Sequence, residues 1–238
     1  MVGITCKGRH PALEDKRVRQ ALNYAIDWDA INKGLFMGRA KRMSYVFNPP
    51  YANTNIQPYP YDPDKAKALL AEAGYPNGLE LGPFITPVGR WIKDYELARA
   101  VKAQLEAVGV TFKGGLLAYE WGAYRQKLLA HDLSDLFMQA SGGEFEAAAE
   151  AADLTITSPS DFYEWNNPEY EALWQELQGE LDMDRRYDIA MKMQEIIHED
   201  APWIFLYIQL DTYGVSDRID WQPRMDELIH LWNARIVK

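Results

Sequence analysis

Cysteine is almost absent from this sequence: Cys6 is the single one in 238 residues. A lone thiol excludes an internal disulfide and any zinc site built on cysteine pairs. Histidine is nearly as scarce. His10, His131, His198 and His230 form no close pair and no HExxH pattern, which leaves a zinc-hydrolase reading without footing. Glycine-rich phosphate loops of the GxxxxGKS/T and GxGxxG types are missing, as is a GxSxG nucleophile elbow. No apolar run approaches the ~20 residues of a membrane span. Positive charge is in short supply too: 35 acids face 25 Lys and Arg, for a formal charge of −10. So acidic a surface repels phosphate backbones and anionic lipid, which argues against nucleic acid and membrane surfaces as partners. The opening, Met1 to His10, lacks the basic and apolar regions of an export signal.

What is present suits a globular α/β protein. Hydrophobic residues make up 47% of the chain, enough for a sizeable core. Eight Trp and fourteen Tyr supply large core and interface residues, or a stacking pocket. Val2 to Cys6 is β-prone. Val18, Ala21, Leu22, Ala25 and Ile26 keep a 3.6-residue spacing that predicts a helix over 13–26, and Asp27 caps a second one to Phe36. Tyr45 to Pro63 reads as an extended loop. Asp62 before Pro63 opens a helix that Gly74 closes. A strand over 79–86 follows, with Pro83 suggesting an edge or a bulge. Next come a helix over 91–108, a strand over 110–118 interrupted by Gly114 and Gly115, a helix over 121–130 and a strand over 135–140. Residues 144–152 read as helical, Asn167-Pro168 opens a helix to about 178, another spans 184–199, and 203–215 is a long β-prone run. This alternation predicts an α/β fold: a central mixed, mainly parallel sheet with helices on both faces. No repeat or low-complexity linker marks a boundary, so residues 1–238 read as a single domain.

Two loops follow strands and precede helices, the position where open α/β sheets bind ligands. Thr86-Pro87-Val88-Gly89-Arg90-Trp91 places Arg90 where its fork could take a carboxylate beside a helix N-terminus; a solvated surface Arg is the plainer alternative. Ser141-Gly142-Gly143-Glu144-Phe145-Glu146 lets the backbone approach a ligand, and Glu144 and Glu146 could bind an ammonium or cap the next helix. The same two acids suggest an acid–base hydrolase as an alternative function, although sequence sets no separation between them. Tyr119-Glu120-Trp121-Gly122 carries no catalytic logic and reads as structural, with Trp121 an anchor under the sheet. Trp165 could line a cleft or fill core.

The chain resembles the peptide/nickel/oligopeptide group, family 5, of extracytoplasmic solute-binding proteins, the receptors of ABC importers. The likeness is carried in collinear order by Asp15-Lys16-Arg17-Val18-Arg19-Gln20-Ala21-Leu22-Asn23-Tyr24-Ala25-Ile26-Asp27, Pro49-Pro50, the run from Asp62 to Gly74, Gly89-Arg90, Tyr119 to Tyr124, Tyr163 to Tyr170, and His198-Glu199-Asp200-Ala201-Pro202-Trp203-Ile204. The resemblance implies one lobe, the carboxy-terminal one, of a type II periplasmic-binding-protein-like fold, with crossover segments near 1–8 and 205–238. It implies an amino-terminal lobe that this chain lacks, an ABC permease as partner, a periplasmic or extracellular parent protein whose export signal is absent here, no cofactor and no catalysis. Exposed strand edges in the crossovers would favour self-association. Arg90 matches the arginine with which dipeptide-binding relatives hold the ligand carboxylate. Their ammonium-binding Asp sits in a Trp-x-Gly-Asp-like loop that here reads Ser141-Gly142-Gly143-Glu144, without the Trp. A peptide, an oligosaccharide stacked on Trp91 or Trp165, or a similar small solute remains open.

Overall fold

The computed structural model describes residues 2–6, 10–140, 165, 167–224 and 228–237; for 2–6 only the backbone is described. The helices start where the local chemistry tells them to. Helix α1 (Lys16–Tyr24) follows a 3-10 turn (Pro11–Glu14) and is capped by Asp15, whose carboxylate accepts the Arg17 N–H at 2.8 Å. Helix α2 (Trp28–Phe36) is capped by Asp27, and α3 (Pro63–Glu72) by Asp62, each accepting a backbone N–H at 2.9 Å. Gly74, at φ +99°, lets the chain leave α3 in the left-handed region.

The main sheet has six strands in the order β2-β8-β1-β7-β4-β6. These are β1 (Val2–Cys6), β2 (Lys41–Arg42), β4 (Phe84–Val88), β6 (Leu116–Glu120), β7 (Leu136–Ala140) and β8 (Trp203–Ile208). Strands β4, β6, β7 and β8 run one way, while β1 and β2 run against them. The sheet is therefore mixed, as expected; four of its six strands share a direction, but only the β4–β6 and β4–β7 pairs are parallel, because β1 enters between β7 and β8. Both its faces are covered by helices: α1, α2, α3 and α4 (Asp94–Ala107) pack on one, and α5 (Trp121–Leu129) on the other.

Three expectations need correction. The run 79–86 is two strands, β3 (Leu79–Leu81) and β4, and 110–118 is likewise β5 (Val110–Phe112) and β6. Strands β3 and β5 pair with each other in a small parallel sheet of their own. The breaks fall at Pro83, which has no N–H to give a ladder, and at Gly114-Gly115, whose φ values of +89° and +72° no extended strand uses. Helix α4 begins at Asp94, not at residue 91. Strand β1 has neither edge exposed: it is hydrogen-bonded to β7 on one side and β8 on the other.

The 45–63 segment is irregular, as its composition predicts, but it is not a surface loop. Val46, Phe47, Tyr51 and Tyr59 are buried with Met43 against α6 (Pro168–Gly179) and α7 (Met183–Asp200) in a second core. Gln194 of α7 holds it there. Its amide donates to the carbonyl of Tyr51 at 2.8 Å and accepts from the N–H of Asn53 at 3.1 Å. Asn23 serves β8 in the same way, donating to Trp203 O at 2.8 Å and accepting from Phe205 N at 2.9 Å, so that one side chain stands in for a neighbouring strand. Arg19, 6% exposed, gives its guanidinium to the carbonyls of Leu13, Glu14 and Asp200 and to the Asp200 carboxylate, at 2.8 to 3.0 Å.

Candidate solute-binding edge

Because β4, β6, β7 and β8 point the same way, their carboxyl ends share one edge of the sheet. Gly89-Arg90-Trp91 leaves β4 there, and β6 runs straight into Trp121 at the start of α5. Gly89 sits at φ +76°, a conformation that a side chain would strain. The loop is held from beneath by Asp94, 4% exposed, whose carboxylate accepts N–H groups from Gly89 (3.2 Å), Arg90 (2.8 Å), Trp91 (3.1 Å) and Tyr95 (2.8 Å). The loop amides and the start of α4 thus spend their positive potential on an internal anion. This corrects the expectation that a helix N-terminus would assist a ligand beside Arg90. On the other side, Ile92 is tied to the exit of β8: its N–H reaches Gln209 Oε1 at 3.5 Å, and its carbonyl accepts from the Tyr207 hydroxyl at 3.4 Å.

Above this rigid base Arg90 is exposed. Its Cζ lies 5.0 Å from the ring centre of Trp121 and 5.8 Å from that of Trp91. The two indoles meet edge to face at 6.0 Å, and Trp121 stacks on Tyr124 at 5.7 Å. Among the described residues the Arg90 guanidinium meets no carboxylate. A cation propped on aromatic faces, with no carboxylate partner among the described residues, makes this a candidate carboxylate site.

The structure thus brings Arg90 and Trp91 together and adds two residues read differently from sequence. Trp121 packs against the core cluster under α5, as an anchor would, yet it also supports the guanidinium. Asp94 was not singled out at all; its signal was an acid close behind a Gly-Arg loop, which only the chain reversal turns inward. Trp165 stands elsewhere. Its indole donates to the Asp200 carboxylate and its ring meets Tyr170 at 5.0 Å, at the amino end of β8 and so at the opposite edge of the sheet. Ser141, Gly142, Glu144 and Glu146, together with the helix expected over 144–152, lie outside the described residues. No group of three or more metal-ligating side chains occurs among the described residues, and no described helix is long and apolar enough to cross a membrane.

A mixed α/β sheet with helices on both faces is consistent with one lobe of the periplasmic-binding type of fold. The model of the bacterial extracellular solute-binding proteins, family 5 (middle region), matches residues 1–168, and the chain belongs to that family. It is 35% identical over 213 residues to heme-binding protein A of Haemophilus influenzae, covering 87% of this chain and 39% of that protein. It is 30% identical over 202 residues to the dipeptide-binding protein of Escherichia coli, covering 82% and 37%. In three dimensions it superposes on the periplasmic binding protein DppA of Helicobacter pylori, solved with the peptide STSA, with a TM-score of 0.73 at 28% identity, over 87% of this chain and 41% of that one. The chain thus spans roughly two-fifths of the length of these relatives.

Proposed function

We propose that this chain is the carboxy-terminal lobe of an ABC-importer receptor and that it captures a small solute at the β4–β6–β7 edge. The observation that carries the reading is the Arg90 fork, held over Trp91 and Trp121 at the carboxyl end of parallel strands with no carboxylate partner among the described residues. Relatives are named for dipeptides and for heme, and both molecules carry carboxylates that such a fork would take. Binding follows a clamp logic. A second, amino-terminal lobe closes over the solute by hinge motion, and the closed form delivers it to a membrane permease from the periplasmic or extracellular side. On this reading the chain binds without turning its solute over.

The end of the described chain supports a lobe–lobe role for the second crossover. Between Leu210 and Val237, apolar side chains stand in solvent, Trp232 at 74% and Ile236 at 82% exposure, around a two-stranded ribbon, β9 (Ile219–Asp220) and β10 (Arg235–Ile236). An apolar surface of this kind suits cover by the other lobe; without that cover it favours self-association. The first crossover, by contrast, is β1 in mid-sheet.

The test is calorimetry of a two-lobed polypeptide carrying this chain against peptides, heme and oligosaccharides, before and after Arg90→Ala. The reading expects a carboxylate-bearing solute to bind and the substitution to weaken it at least about tenfold, the size of one charge-assisted hydrogen bond. Equal binding by the variant removes Arg90 from the site.

A further inference from the structure

The turn that carries Arg90 also holds apolar side chains out in solvent. Asp94 draws the backbone N–H groups of Gly89, Arg90, Trp91 and Tyr95 around one carboxylate, so residues 89–95 are gathered on one tight turn. Ile92 is fixed there by its bonds to Gln209 and Tyr207. On this turn and the residue that enters it, Val88, Ile92 and Tyr95 are 37%, 50% and 39% exposed, beside the Trp91 and Trp121 rings on which the guanidinium rests. Exposed apolar side chains scattered singly are ordinary. Three of them gathered around one cation on a rigid base are not scattered.

The acids nearby do not claim that cation. Asp94 is spent on amides. Glu96 meets Lys93 at 3.8 Å, and Glu120, level with Val88 on β6, makes no ion pair with Arg90. An exposed guanidinium alone holds a carboxylate weakly, because water competes for both ions. A small, hydrated acid therefore gains little here. An acid attached to an apolar body gains more: its carboxylate meets the cation while its body takes apolar side chains out of water.

We propose that this turn selects a carboxylate carried on an apolar body, with Ile92 and Tyr95 as the specificity-determining residues that the body covers. This rests on the solute-binding reading above and narrows it. A porphyrin propionate and a peptide whose last side chain is apolar share the required chemistry. Acetate, or a peptide ending in a short polar residue, leaves the apolar side chains wet. A neutral oligosaccharide leaves the cation unpaired. The turn thus discriminates by what a wrong solute fails to cover or to pair.

The test uses isotope-labelled chain, in which weak binding is read residue by residue by NMR. Acetate, butyrate and hexanoate are titrated to tens of millimolar beside hexanol, with the indole N–H signals of Trp91 and Trp121 and the methyl signals of Ile92 as reporters. The proposal expects affinity to climb by up to about fourfold per added methylene, and at least about tenfold from acetate to hexanoate, while hexanol leaves the indole signals in place. Ile92→Ser, at an exposed position that folding does not depend on, should weaken hexanoate at least about threefold and leave acetate unchanged. Two further pairs tell the sources apart, read on the same signals: the peptide Ala-Ala-Leu beside Ala-Ala-Ser, and hemin beside its dimethyl ester. A preference for the Leu peptide or for the free-acid porphyrin supports the proposal and names the source; neither preference overturns it. Equal affinity along the acid series, with the indole signals still shifting, overturns the apolar selection and leaves the solute-binding reading standing. Hexanol acting like hexanoate, or no shift with any probe, overturns both.

Discussion

Arg19 and Arg90 show two uses of one side chain. Arg19 is buried, and its fork meets three carbonyls and a carboxylate. Arg90 is exposed, and its fork rests above two indoles with no acid among the described residues. The regions around them differ in the same way. Near Arg19, Asn23 and Gln194 have their amides engaged at both ends. Asp94, beneath Arg90, spends its carboxylate on the loop amides and leaves the guanidinium to the indoles. Polar groups engaged at both ends weld elements together. On the proposed function, the contrast separates architecture around Arg19 from a candidate recognition edge around Arg90.

The strongest way to break the contrast is Arg19→Ala. It takes the guanidinium from three carbonyls and leaves the Asp200 carboxylate only the Trp165 indole among the described residues, and urea denaturation should show a loss of about 3–5 kcal/mol. A loss below about 1 kcal/mol would mean that the amino edge is not welded as described. Gln194→Leu should cost about 1–3 kcal/mol by the same measurement, because the carbonyl of Tyr51 and the N–H of Asn53 lose their partner. Asp94→Ala tests the base of the recognition edge. Four backbone N–H groups lose an acceptor, stability should fall by about 1–2 kcal/mol, and hydrogen exchange at Gly89 to Trp91 should speed up. Arg90→Ala should leave stability within about 0.5–1 kcal/mol of the unmodified chain, since an exposed cation over two indoles, with no acid partner among the described residues, contributes little to folding.

The smallest effect concerns pH. His198 stacks on Tyr59 at 4.5 Å and lies near Phe205 at 5.7 Å, and its Nε2 is buried without a partner. Burial holds its pKa below the ordinary imidazole value, with the backbone of Gln57 and the charge of Glu199 only partly opposing. The unfolded chain therefore takes up a proton near pH 6.5 while the folded one still resists it. Stability should be full above that pH and decline as pH falls through the window below it. His198→Phe should flatten this decline in melting curves taken from pH 7.5 to 5. An unchanged slope would locate the pH response elsewhere.

How much of this was legible in the sequence follows the range of the interactions involved. Asp27, Asp62 and Asn167 announce helices because a cap and its target lie two or three residues apart. The mixed α/β pattern and the Arg90-Trp91 loop were equally visible. The strand breaks at Pro83 and Gly114-Gly115 were half visible: composition marks the interruption, but which piece pairs with which strand is decided across the sheet. Asp94 could not be seen as a loop anchor, since a helix-start acid normally serves its own helix. Trp165 could be read as cleft or core by residue type alone; it packs against the second core, at an edge set by where α7 ends against β8.

The central claim is that the carboxyl edge is one jaw of a two-jawed clamp. Calorimetry of the peptide bound by a two-lobed polypeptide carrying this chain, beside the chain by itself, tests it most directly. The account predicts tight one-to-one binding in the first case and only weak, millimolar-range binding in the second, because half the contacts and the closure are missing. Tight stoichiometric binding to the chain alone would contradict it.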